Sequence, residues 1–146
     1  MNMNNNEIIT MREFDVPREL VYQAWTTPEL LARWWGPNGF TNTFHKCEIK
    51  LGGVWQLTMH GPDGKDYPNE SVFVEVVPVE RVVLDHLSGH QFRITATFDD
   101  LDGRTKVTFR QTFRVKEDFE KAKDICVEAN EQNLDRLGQV LKEMNS

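Results

Sequence analysis

His86 and His90 stand four residues apart, the spacing at which two imidazoles on one helix can hold a zinc ion. Around them, however, the sequence reads as a strand end and a Leu87-Ser88-Gly89 turn, so the helix that this chemistry needs is missing. Asp99, Asp100 and Asp102 bring carboxylates together, yet they sit in a hairpin turn closing at Gly103 and lack the last acid of a calcium loop. There is no nucleophile elbow, no phosphate loop and no dinucleotide fingerprint, and Gly52-Gly53 marks a hairpin. No metal, no cofactor and no covalent catalytic residue is expected.

The remaining chemistry belongs to polar residues on an apolar face. Alternation places Gln111 between Phe109 and Phe113, His86 after Val82 and Leu84, and His45 with Cys47 and Ile49. An unpartnered polar group in such a place costs about 1–3 kcal/mol, so each needs a hydrogen bond, a water or a ligand. Either a cavity or a structural bond answers for Gln111, and His86 lies where a strand end can meet water. As histidines, His86 and His45 are also the groups able to exchange protons near neutrality.

A second anomaly lies in the helical run from Glu117 to Met144. Steps of 100° bring Phe119, Ala122, Cys126, Ala129, Asn130, Asn133, Leu137, Val140, Leu141 and Met144 to one face. Large apolar side chains hold the ends of this stripe, while Cys126, Ala129, Asn130 and Asn133 in its middle are small or polar. A helix that only plugged a core would carry Leu or Ile there, because a void costs about 2–5 kcal/mol. The gap therefore predicts a cavity, unless the two asparagines lie at the margin and face solvent.

Positioning these residues falls to a sheet and three helices. Glu7–Phe14 alternates as an edge-capable strand. Pro17 then opens a short helix carrying Leu20, Val21, Ala24 and Trp25, and Thr27-Pro28 caps a second one carrying Leu30, Leu31, Trp34 and Trp35. Trp25, Trp34 and Trp35 belong to the core at this spacing, with Trp34 or Trp35 able to reach a ligand mouth. Strands are expected over 41–50, 54–60, 69–77, 81–87, 91–98 and 104–113, with connections too short for crossover helices, so the sheet is antiparallel. Its dry face carries Trp55, Leu57 and Met59; Val72, Val74 and Val76; Phe92, Ile94, Ala96 and Phe98; and Val107, Phe109 and Phe113.

The composition narrows the classes of function. A chain of 146 residues fits one domain over 7–144, after a disordered lead at 1–6. Its net charge of -6 argues against nucleic acid, and no apolar run is long enough to insert in a membrane. With no basic or apolar leader, and with Cys47 and Cys126 far apart, a cytoplasmic location with reduced thiols is expected.

Taken in order, several stretches carry a family resemblance: Val16-Pro17-Arg18-Glu19-Leu20-Val21-Tyr22, Trp34-Trp35-Gly36-Pro37, Glu48 to Gly53 leading into Trp55, Glu75-Val76-Val77-Pro78 with Glu80-Arg81-Val82, Phe98 before an acidic turn, and Leu134-Asp135-Arg136-Leu137. From about Ile8 to Leu141 the chain resembles the helix-grip, or START-like, fold of the Bet v 1 superfamily. Within it the chain is similar to the family named after the activator of Hsp90 ATPase homologue 1. Members often carry Gly-Trp where Ala129-Asn130 stand here, and aspartate at Glu48. The resemblance implies an α+β fold in which a curved antiparallel sheet of about seven strands is crossed on its concave face by the long last helix. It also implies a deep pocket for an apolar or aromatic small molecule.

The leading expectation is a ligand-binding domain without covalent catalysis, acting as a monomer or homodimer. A pocket of about 300–1,000 Å³ is expected. The ligand would lie against Trp35, Trp55, Leu57, Met59, Phe92, Ile94 and Phe109 and beneath Cys126, Ala129 and Asn130. Gln111, His86, His45 and Asn133 would meet its polar end. Replacing Gln111 by Leu is then expected to change ligand preference and leave thermal stability unmoved. One rival is an enzyme using His86 or His45 for acid–base work on a hydrophobic substrate, as the resemblance to aromatic cyclases allows. Another is a stress-related co-chaperone of Hsp90, although the eukaryotic activator has an additional domain with no counterpart in this sequence.

Overall fold

Pro17 and Pro28 set the first turns after an opening strand, and the elements of the computed structural model follow from there; it describes residues 6–145. The order is β1 (Glu7–Phe14), α1 (Arg18–Thr26), α2 (Pro28–Trp34), β2 (Thr41–Cys47), β3 (Val54–His60), β4 (Asp66–Val77), β5 (Arg81–His86), β6 (Phe92–Leu101), β7 (Arg104–Phe113) and α3 (Lys116–Met144). Of the expected disordered lead, residues 1–5 lie outside the described residues. Asn6 does not fit that expectation, since its carbonyl accepts the Phe113 N–H at 2.9 Å. Thr27 holds the N-cap position of α2, but its side chain makes no capping bond; only its carbonyl serves, taking the Leu31 N–H at 2.8 Å.

The seven strands form one curved sheet in the order β1-β7-β6-β5-β4-β3-β2, and every neighbouring pair is antiparallel. β1 returns to pair with β7, which puts Ile8 opposite Gln111 and Thr10 opposite Phe109. The concave face buries Trp55, Leu57, Phe73, Leu84, Ile94, Ala96, Phe98, Val107 and Phe109. Against it α1 and α2 press Trp25 and Trp34, which meet edge-on at 4.8 Å.

Two bulges correct the expected faces. Pairing in β2 shifts between Phe44 and Lys46, leaving His45 as the extra residue, and pairing in β4 shifts between Phe73 and Glu75, leaving Val74 extra. A bulge changes the parity of alternation, so counting by twos across it assigns the wrong side. Ahead of Val74 the inward residues are Ser71 and the fully buried Phe73, not Val72 and Val74. Past it, Val76 does pack on the core, as the alternation predicts.

α3 has 29 residues, a span of about 43 Å. All of its buried residues lie in the second half: Asn130, Asn133, Leu134, Leu137, Val140 and Leu141. Leu134, absent from the expected stripe, is fully buried, whereas Phe119, Ala122, Cys126 and Ala129 are half-buried. The second half is the part gripped by the sheet together with α1 and α2; the first half overhangs the far end of β7.

Candidate functional site

Between the concave face and the middle of α3 lies a hollow of about 220 Å³, smaller than expected. Its walls include Trp35, Trp55, Leu57, Met59, His86, Phe92, Ile94, Phe109, Gln111, Cys126, Ala129, Asn130 and Asn133. Every expected site residue is thus brought together except His45. The β2 bulge turns that imidazole to the outer face, where it is exposed and bonds Thr58 Oγ1 at 2.8 Å. Also on that face, His60 bridges Thr43 Oγ1 and Asp66 Oδ1 at 2.7 Å each. That connectivity resembles an acyl-transfer relay, but it stands in open solvent, where water competes for each bond.

Gly36, Pro37, Asn69, Ser71 and Leu84 line the hollow as well and were not anticipated. Asn69 and Ser71 were hidden by the β4 bulge. Leu84 was readable from the Val82 and His86 alternation, and Gly36 and Pro37 from their place directly after Trp35.

The small middle of α3 does leave room, and its asparagines turn inward rather than to solvent. Asn130 and Asn133 are 8% and 5% exposed. Asn130 Nδ2 donates to Gln111 Oε1 at 3.1 Å, and the Cys126 thiol is also hydrogen-bonded to Gln111. Burial raises the Cys126 pKa against that bond and lifts Cys47 to about 11. Both thiols therefore remain protonated and poorly nucleophilic at neutral pH.

Asn133 fixes the lip of the hollow. Its Oδ1 accepts the Gly36 N–H at 2.6 Å, and Gly36 adopts φ 98°, a left-handed conformation that suits glycine. A turn further along α3, Arg136 donates to the carbonyls of Arg33, Gly36, Pro37 and Phe40 at 2.8–3.1 Å and reaches that of Trp35 at 3.3 Å. One guanidinium thus ties the whole turn between α2 and β2 to α3. Burial lowers its pKa, and carbonyl dipoles take the place of a carboxylate. Arg136 lies within Leu134-Asp135-Arg136-Leu137, but nothing in its spacing revealed this role.

His86 closes the opposite end. Its Nδ1 donates to the His90 carbonyl at 2.8 Å, its Nε2 lies 2.6 Å from Asn69 Oδ1, and its ring stacks on Phe92 at 4.5 Å with 4° between the planes. Burial lowers the His86 pKa, opposed by the bond to His90. Four aromatic side chains, Trp35, Trp55, Phe92 and Phe109, supply the apolar walls, and Asn69, Ser71 and His86 supply a polar patch on β4 and β5. Trp35 meets Trp55 edge-on at 5.0 Å and tilts against Phe109 at 6.4 Å.

Comparison with known proteins agrees with this architecture. The family model described as Activator of Hsp90 ATPase homolog 1-like protein matches residues 15–142. A solution structure of a protein from Arthrobacter aurescens is 26% identical, with a TM-score of 0.87 over 94% of this chain and 87% of that one. Crystal structures from Nitrosomonas europaea (21% identity, TM-score 0.85, 95% and 96% covered) and Chromobacterium violaceum (23%, 0.84, 92% and 96%) share the fold. None of the curated proteins matches the chain.

Proposed function

The chain belongs to the activator of Hsp90 ATPase homolog 1-like family, and on that premise we propose that its hollow is a receptor for small aromatic molecules of one or two rings. The observation that carries this reading is an aromatic-walled space with a polar patch at one end, roofed by the small residues Cys126 and Ala129. Ring faces reward offset or edge-on stacking of a flat guest. Size sets the class: filled to the density of a protein interior, the hollow takes a guest of about 160 Å³, which admits a fused pair of rings and excludes a long acyl chain. A hydroxyl or carbonyl on the guest would meet Asn69, Ser71 and His86.

Proton transfer is the weaker use of the same space. Both nitrogens of His86 are already engaged within the protein, so the ring has no free lone pair with which to take a proton from a substrate. An effect on Hsp90, which the family's description names, is a question of surface and is answered separately by adding the chain to a purified Hsp90 ATPase assay.

The test is titration with 2-naphthol followed by tryptophan fluorescence, beside native mass spectrometry of protein purified from its own source. Wild type is expected to bind and to quench, and hexadecanoate is expected not to. Ala129→Phe, which fills the roof of the hollow, is expected to abolish binding while the circular dichroism spectrum stays unchanged. Equal binding by the folded Ala129→Phe protein would refute the hollow as the receptor.

A further inference from the structure

Next to the hollow lies a second cavity, a cleft of about 510 Å³ at the ends of β5, β6 and β7. The two spaces have two lining residues in common, His86 and Phe92. These are the rings that stack face to face at 4.5 Å, so the partition is one side-chain layer thick. His86 is fixed from both nitrogens, by Asn69 and by the His90 carbonyl. Phe92 has only ring contacts, with His86 and with Phe113 at 5.3 Å, and it is half-buried. Phe92 is therefore the movable leaf, and its displacement from His86 joins the two spaces.

The charge in the cleft is specific. Asp85, Arg93 and Arg114 line it. Arg93 Nε and Nη2 donate to the two Asp85 carboxylate oxygens at 2.8 and 3.1 Å, so that pair cancels. Arg114 is exposed, and among the described residues its guanidinium has no carboxylate partner. Its backbone is pinned by the N–H to the Gln91 carbonyl at 3.0 Å. Gln91 and Thr112 add neutral polar side chains to the same walls. On a chain of net charge -6, an unpaired guanidinium beside a cavity is the feature that favours an anion there, since its planar fork matches a carboxylate through two parallel hydrogen bonds.

We infer that the cleft holds the carboxylate of a ligand whose rings occupy the hollow, so that the natural ligand is a small aromatic acid. This rests on the reading of the hollow as a receptor and adds the chemical class of the guest. The carboxylate pairs with Arg114, and the linking atoms pass where Phe92 has moved off His86.

Matched probes separate the two levels. 2-Naphthoate and 2-naphthol share the ring system and differ in the anion, and both are titrated against the full chain by calorimetry at low and at high salt. The expected result is that 2-naphthoate binds about tenfold tighter than 2-naphthol at low salt and loses that margin at high salt. Arg114→Gln is expected to erase the margin and leave 2-naphthol affinity as it was, and Arg114→Lys to keep part of it. Arg104→Gln, at the other end of β7, is expected to change neither probe. If 2-naphthol binds but 2-naphthoate binds no tighter, or if Arg114→Gln keeps the full margin, the aromatic-acid assignment is overturned and the receptor reading stands. If neither probe binds, both fall.

Discussion

Gln111 is where the structure changes an expectation most directly. Alternation correctly set it facing inward, but it could not reveal a partner nineteen residues away on α3. Because Gln111 Oε1 accepts from buried Asn130, Gln111→Leu strands that amide, and the expected cost is about 1–3 kcal/mol rather than an unmoved thermal midpoint. Chemical denaturation measures it, and a double variant with Asn130→Leu is expected to recover part of the loss because no polar group is then left unmatched. His86 makes a second prediction at this scale. Its folded-state pKa lies below the ordinary histidine value of 6.5, so the unfolded chain takes up a proton that the folded chain resists. The stability tied to His86 is therefore complete above about pH 6.5 and is lost as the pH falls toward the folded value. Thermal melts from pH 8 to pH 5 are expected to show a falling midpoint, with a shallower fall in His86→Gln.

At the level of elements, the turn between α2 and β2 depends on a single side chain from α3. Arg136→Met removes its hydrogen bonds to carbonyls and is expected to cost about 3 kcal/mol in denaturant titration. Arg136→Lys is expected to recover little of this, since an ammonium cannot span acceptors laid out for a fork. Strand existence and order were legible because turn residues separate runs of period two, and β3 and β7 begin and end where the pattern places them. The failures at Val72, Val74 and His45 share one cause. A bulge is a matter of backbone pairing, and neither the Phe73-Val74-Glu75 nor the Phe44-His45-Lys46 sequence carries a glycine or proline to announce it.

For the whole molecule, the gap in the last helix was the most informative sign in the sequence, because a close-packed interior does not tolerate small and polar residues between large apolar ones without a hollow to face. Its register was less legible: the 100° wheel left out Leu134, which tertiary packing buries completely. The two halves of α3 are expected to differ in amide hydrogen exchange. Residues 131–144 should be protected to near the global limit, and residues 117–129, which bury no side chain, should exchange through local opening. Equal protection along the helix would contradict this division. The bulge at Val74 also offers a handle on interior width. Since Phe73 still opposes Leu84 and Glu75 still opposes Val83, excising codon 74 leaves each remaining partner in place and irons out the local bend. A one-residue shortening would then flatten the sheet under its guest, changing the volume of the chamber without altering the chemistry of its walls.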